Sequence, residues 1–170
     1  MKENAVATFD ELLESNQQYA QDFNKGELSS PPKRKVAVVT CMDARLHPEK
    51  FLGLELGDAH VIRNAGGRVT EDALRSLVIS QRMLGTQEVI VIQHTDCGMM
   101  GASDEDIAAK IKEDLGVDTS MEFLTFTDLR ESVESDVNKL RNTALIPDNV
   151  PIIGAIYDVK SGKVEEVTRT

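Results

Sequence analysis

His94 and Cys97 stand three residues apart in "QHTDCGMM", directly after the apolar run "EVIVI". The 170-residue chain has only two cysteines, and the other, Cys41, lies in "VVTCMDARL". Two thiolates and an imidazole form a ligand set that zinc prefers, and three protein ligands leave one tetrahedral position for water or substrate. That open position separates a catalytic site from a closed structural one. H-x-x-C alone also suits a hydrogen-bonded histidine beside a core cysteine, because unpaired cysteine behaves as a small hydrophobe. A Cys41–Cys97 disulfide is a third reading, which a reducing compartment disfavours.

For the three residues to meet, the elements that carry them must converge. "KVAVVTC" reads as a buried strand ending at Cys41, and "QEVIVIQHTDC" as a more apolar strand running out at His94 and Cys97. Ligands of open parallel sheets bind beyond the carboxyl ends of the strands, where the strand order reverses. If these two strands are neighbours, as in flavodoxin-like orders, the three residues share one crevice. Between them come "HPEKFLGLELGD", a helical turn or two with Pro48 in the first turn, and "AHVIRNAGG", a strand ending in glycines. "VTEDALRSLVISQRMLG" is a helix with Thr70 as N-cap and Gly85 at its end. Residues of about 104–115 and 127–143 read as further helices. "VPIIGAIYDVKSGKVEEV" reads as two strands around a Ser161-Gly162 turn. Strands alternating with helices predict an α/β fold with a largely parallel central sheet flanked by helices.

Ahead of this core, residues from about 5 to 25 carry Phe9, Leu12, Leu13, Tyr19, Ala20 and Phe23 near the helical period, with Gly26 as a natural stop and "SSPPKRK" as a linker. The chain divides into a helical arm and linker, 1–32, and an α/β core, 33–170, within one domain of 1–170. The arm's apolar face needs a cover, either the rest of the domain or a second subunit. A net charge of −10 argues against nucleic acid and anionic membranes as partners. No apolar run approaches the roughly 18 residues of a spanning helix. The N-terminal stretch is too acidic and polar for a signal or transit peptide, so a cytoplasmic location is expected.

Asp43 and Arg45 follow Cys41 in C-x-D-x-R. Residues two apart in a strand-exit turn can point the same way, so a carboxylate–guanidinium pair beside the metal is reasonable; it could equally be a surface ion pair capping the turn. Such a pair would hold Asp43 ionised and aim one oxygen at the metal's solvent, and loss of the arginine would free Asp43 to become a fourth ligand. "RNAGG" lacks the spacing and the lysine of a phosphate loop, so Gly66 and Gly67 read as tight backbone geometry near the site. His47 and His60 lie off the ligand spacing and read as surface or core residues, with proton relay a remote role for His47. Met99 and Met100 read as packing.

At "CMDARL", "GDAHVIRNAGG" and "HTDCGM", in this order, the sequence resembles the β-class carbonic anhydrase family, in its short, prokaryotic-style branch. The motifs cover residues of about 33–101. The resemblance implies zinc (Zn2+) held by Cys41, His94 and Cys97, a catalytic dyad of Asp43 and Arg45, and a substrate-side backbone N–H at Gly98. It implies four parallel strands with an added antiparallel edge strand, and a homodimer or homotetramer in which the N-terminal helix packs over a second subunit. The implied activity is reversible hydration of CO2 to bicarbonate by zinc-bound hydroxide, rising on the alkaline side of neutrality because two thiolates make zinc less acidic. Relatives with the same ligand set hydrolyse carbonyl sulfide or carbon disulfide, so a carbonyl sulfide (or carbon disulfide) hydrolase releasing hydrogen sulfide and CO2 is the alternative. A zinc- or redox-sensing protein belongs to another class, and it has no need of an intact Asp43–Arg45 pair.

Overall fold

A computed structural model describes residues 8–170. Its elements follow the order α1 (Phe9–Asp22), β1 (Val36–Cys41), α2 (Pro48–Phe51), β2 (Ala59–Asn64), α3 (Glu71–Leu84), β3 (Glu88–His94), α4 (Asp104–Leu115), α5 (Leu129–Arg141), β4 (Ile152–Tyr157) and β5 (Val164–Arg169). Short 3-10 turns at Ala65–Gly67 and Gly98–Met100 follow β2 and β3. The five strands form one sheet in the order β2-β1-β3-β4-β5, parallel except for the antiparallel β4–β5 pair. The expected α/β architecture is therefore the one observed.

β1 lies between β2 and β3, and all six of its residues are buried. A strand covered on both faces has no use for polar alternation, hence "VAVVTC". Ala37 and Val39 of β1, Val89 and Val91 of β3 and Ile152 of β4 meet Leu74 and Leu77 of α3 and Val137 and Leu140 of α5 in the main core. Leu77 and Leu140 are almost fully buried, each contributing roughly 1.5–3 kcal/mol of apolar transfer. Val38, Ile92 and Ala155 form the core of the other face with Phe51, Leu52 and Tyr157.

Local signals set the element ends. The Thr70 hydroxyl accepts the Ala73 N–H at 3.1 Å, Glu71 and Asp72 complement the N-terminal dipole of α3, and Gly85 at φ 76° closes it. Pro48 starts α2 in its first turn. In α1, Thr8 and Glu11 form a reciprocal capping box, but the helix ends at Asp22 rather than near 25. Asp22 opposes the C-terminal dipole, no basic residue stands in the last turn, and none of the helix is buried, so nothing holds another turn. The expected start near residue 5 lies outside the described residues. Among those residues, no helix is long and apolar enough to cross a membrane.

Candidate metal centre

Order reverses on the sheet between β1 and β3, the switch point at which β2 lies to one side and β4 to the other. β1 delivers Cys41 there and β3 delivers His94, while Cys97 follows in the turn after Asp96. One donor atom from each of Cys41, His94 and Cys97 lies within 4.8 Å of the other two, and all three residues are buried. The sequence-derived trio is thus brought together, and both cysteines are free thiols rather than a disulfide.

The donor set can be tested for metal from the protein alone. His94 Nδ1 lies 2.9 Å from the Thr95 carbonyl oxygen, to which it donates, so Nε2 carries the lone pair. Nε2 is buried and has no hydrogen-bond partner among the described residues. An unpartnered imidazole lone pair facing two thiols is costly as a core feature and apt as a ligand. The hydrogen bond from Cys97 pulls the Cys41 thiol well below its ordinary pKa, against burial, and His94 and the backbone N–H groups of Asp43 and Gly66 add to that. The same contact, with burial, pushes Cys97 up. Burial would lower the His94 pKa, but the Cys41 sulfur and the Thr95 carbonyl outweigh it and leave it raised. Sulfur, nitrogen and sulfur at this spacing fit a zinc-type cation.

Asp43 and Arg45 do point the same way. Arg45 Nε donates to Asp43 Oδ1 at 3.0 Å and Nη2 to Oδ2 at 2.8 Å, while the Arg45 N–H closes the turn onto Oδ1 at 2.8 Å. The Arg45 hydrogen bond holds the Asp43 carboxyl well below the usual carboxylate range, so it is ionised. Asp43 Oδ2 lies 3.8 Å from His94 Nε2, beside the donor cluster. Gly98 opens the 3-10 turn after Cys97, and a Cβ there would meet nothing within 4 Å.

The glycines of "RNAGG" act through the backbone, as expected. Gly67, at φ 65°, lies so close to β1 that a Cβ would fall 2.8 Å from the Cys41 nitrogen and 2.9 Å from the Thr40 carbonyl carbon. His47 is exposed and paired with Glu49. His60 bonds to Ser80 Oγ at 2.7 Å and to the Ser30 carbonyl, apart from the cluster. Met99 packs on the cluster with Phe51, Phe126, Tyr157 and Val159, whereas Met100 is exposed.

Two contributors escaped the sequence reading. Arg45 Nη1 donates to Asp96 Oδ2 at 2.7 Å and Nη2 to the Asp96 carbonyl at 2.8 Å, so Asp96 holds the guanidinium from the far side. Asp96 sits at φ 57°, a conformation aspartate tolerates better than most residues, and its place between the two ligands was the available signal. Arg63, on the edge strand β2, donates to the carbonyls of Cys41 at 3.0 Å and Asp43 at 2.7 Å and pins the strand-exit turn. Its signal was an arginine at the carboxyl end of a neighbouring strand.

Comparison with known proteins agrees with this geometry. The sequence pattern of the family described as "Carbonic anhydrase" matches residues 36–164. The chain is 42% identical over 159 residues to "Beta-carbonic anhydrase 1" of Mycobacterium tuberculosis, covering 94% of this chain and 97% of that protein. It is 35% identical over 173 residues to "Carbon disulfide hydrolase" of Acidithiobacillus thiooxidans, covering 86% of this chain and 87% of that protein. The crystal structure of a carbonic anhydrase from Streptococcus mutans superposes with a TM-score of 0.92 at 49% identity, covering 96% of this chain and 99% of that one. By the family pattern and by its likeness to these relatives along nearly its whole length, the chain belongs to the β-class carbonic anhydrase family, a family of metalloenzymes.

Proposed function

We propose that this protein is a zinc enzyme that reversibly hydrates CO2 to bicarbonate, with Cys41, His94 and Cys97 as metal ligands and Asp43, Arg45 and Gly98 around the substrate. One observation carries the reading: three buried donor atoms lie within 4.8 Å of one another, while the nearby carboxylate is tied to Arg45 rather than turned onto them. Zinc held there supplies Lewis-acid activation of water near neutral pH. Asp43, ionised by its arginine, is too acidic to keep a proton; it accepts a hydrogen bond at Oδ2 and orients the attacking water. Arg45 is fixed from both sides by Asp43 and Asp96, so the acceptor stays still. Leu46, Met99, Phe126 and Tyr157 give the cluster an apolar surround suited to a small, linear, uncharged molecule. Gly98, where a Cβ would meet open space, supplies the backbone N–H that we assign to a substrate oxygen.

The same surround admits carbonyl sulfide and carbon disulfide, and relatives bearing the name carbon disulfide hydrolase make these the second reading. Metal analysis with side-by-side rates on CO2, carbonyl sulfide and carbon disulfide tests the choice. The first reading requires about one zinc per chain and a dominant CO2 rate. Negligible CO2 hydration beside rapid sulfide release reverses it, and full activity without metal removes both.

The arm of 1–32 and the core of 33–170 are proposed to assemble as a homodimer or homotetramer. In α1, Phe9 and Tyr19 are 71% and 58% exposed, and a second copy of the chain supplies the cover that the described residues do not. The paired free thiols and the acidic charge suit a reducing, cytoplasmic compartment.

A further inference from the structure

A second charged pair lies outside the candidate ligand set and is linked to it through Gln93, the residue before His94. Arg68 Nε donates to Asp136 Oδ2 at 2.8 Å and Nη2 to Oδ1 at 3.3 Å, with side chains only 12% and 4% exposed. Arg68 is itself locked at the end of the glycine turn: its N–H donates to Asn64 Oδ1 and its carbonyl accepts from Asn64 Nδ2, both at 2.8 Å. Asp136 Oδ2 also accepts Gln93 Nε2 at 2.9 Å, and Gln93, fully buried, immediately precedes His94. A buried ion pair is weak as a stabiliser, because apolar residues of similar volume can do as well. What distinguishes this pair is what its remaining donor holds.

Arg68 Nη1 donates to the Leu124 carbonyl at 2.7 Å, and its guanidinium carbon lies 5.7 Å from the centre of the Phe126 ring. Leu124 is at φ 59°, a strained conformation for leucine that persists only where neighbours enforce it. Two residues on, the Phe126 N–H donates to the Met99 carbonyl at 3.2 Å, and Phe126 packs against the cluster that holds Cys41 and Cys97. A Cβ on Gly66 would meet Phe126 Cε1 at 3.4 Å and Met99 Cγ at 3.3 Å, so this strap lies directly on the glycine turn.

We propose that Arg68 and Asp136 are positioning residues of the site: their buried pair clasps the strap of residues 122–126 and thereby sets Phe126 as the wall against which a small linear substrate lies. This rests on the reading of the cluster as a metal-dependent hydration or hydrolysis site. Arg68 couples a rigid anchor, Asp136 on α5, to a strap with no regular structure of its own.

The test uses the zinc-loaded protein, Arg68→Lys, Phe126→Ala and their double variant. Lysine keeps the charge for Asp136 but cannot serve the Leu124 carbonyl with the same fork. Arg68→Lys should keep its zinc, speed amide exchange at Phe123–Phe126 by about tenfold or more while sparing β3, and lower kcat/KM about tenfold, chiefly through KM. Phe126→Ala should lower kcat/KM by a similar factor, and the double variant should fall no further. If losses in the two single variants multiply, or if Arg68→Lys leaves strap exchange and kcat/KM within twofold of the parent, the clasp does not position Phe126. Should Arg68→Lys fail to fold, the paired change Arg68→Met with Asp136→Leu removes the charges together, and the same exchange and kinetic outcomes decide. The exchange measurement needs no substrate, so it stands even if the chain hydrates none of the three.

Discussion

Asp43 and Arg45 form a two-point fork, with guanidinium nitrogens 3.0 Å from Oδ1 and 2.8 Å from Oδ2 of the same carboxylate. That fork decides what Asp43 can do. The guanidinium engages both oxygens, so we propose that the carboxylate acts as an acceptor beside the metal rather than as a fourth ligand. Asp43→Ala is therefore expected to keep about one zinc per chain while turnover falls by about 10²–10⁴-fold. Metal analysis beside stopped-flow rates checks this. Zinc lost along with activity would identify Asp43 as a ligand instead.

Releasing the fork from the other end gives a different outcome. In Arg45→Ala the carboxylate loses its partner 3.8 Å from His94 Nε2 and can swing onto the metal. We expect zinc to remain bound and turnover to drop at least as far as in Asp43→Ala, with the double variant no worse than the single Asp43→Ala. The cobalt-substituted protein reads the change directly. Its visible absorption should differ between parent and Arg45→Ala, and an unchanged spectrum would show that Asp43 stays off the metal without its arginine.

Metal removal tests the donor cluster as a unit. His94 Nε2 has no hydrogen-bond partner among the described residues, and the sulfurs of two buried cysteines lie beside it. A cation that binds only the folded chain stabilises it by mass action. Chelation should lower the melting temperature by roughly 5 °C or more, and added zinc should restore it. Cys97→Ser should bind zinc weakly and show little of this difference.

The glycines next to the site separate backbone demand from substrate access. At Gly67 a Cβ would collide with backbone atoms of β1, which cannot rotate away, and φ of 65° adds strain. Gly67→Ala is expected to cost about 2–4 kcal/mol by denaturant unfolding and to loosen the metal. At Gly98 a Cβ meets open space, so Gly98→Ala should keep stability within about 0.5 kcal/mol and retain zinc. A kinetic defect confined to Gly98→Ala would support its place beside substrate.

What could be read without coordinates was whatever a local pattern encodes. The apolar runs of β1 and β3, the Thr70 cap and Gly85 stop of α3, and the Ser161-Gly162 turn each carry their own signal, and all appear in the fold. Cys41 and His94 could be joined because strand ends in a parallel sheet share one edge, and β1 and β3 are indeed neighbours. Asp96, Arg63 and the Arg68–Asp136 pair could not be joined in this way. Their partners are 51, 20–22 and 68 residues away, and an arginine at a strand end or in the turn after it gives no sign of which carbonyl or carboxylate it will meet. The helix ends at Asp22, short of the expected 25, for a related reason: Phe23 continues the apolar period past it, but nothing among the described residues covers that face.

Asp104 gives the strap a pH dependence of its own. Its Oδ2 accepts the Phe123 N–H at 2.7 Å, and Oδ1 accepts the Thr125 N–H at 3.1 Å and hydroxyl at 2.7 Å. The Thr125 hydroxyl, followed by these backbone groups, holds the carboxyl below its ordinary pKa. A depressed folded-state pKa means that the tie is fully present above the unfolded value of about 3.9 and is lost as pH falls below that through the folded value. Amide exchange at 123–125, corrected for its intrinsic pH dependence, should therefore show more opening below about pH 4, while β3 stays protected. Asp104→Asn keeps one acceptor but cannot take both sets of donors, so it should open the strap already at neutral pH and flatten the acid dependence. Asp106, which caps α4 through Ser103, is also depressed by those hydrogen bonds, and Asp106→Asn is the control. If that variant flattens the profile and Asp104→Asn leaves it intact, the acid opening starts in the helix cap rather than in the strap.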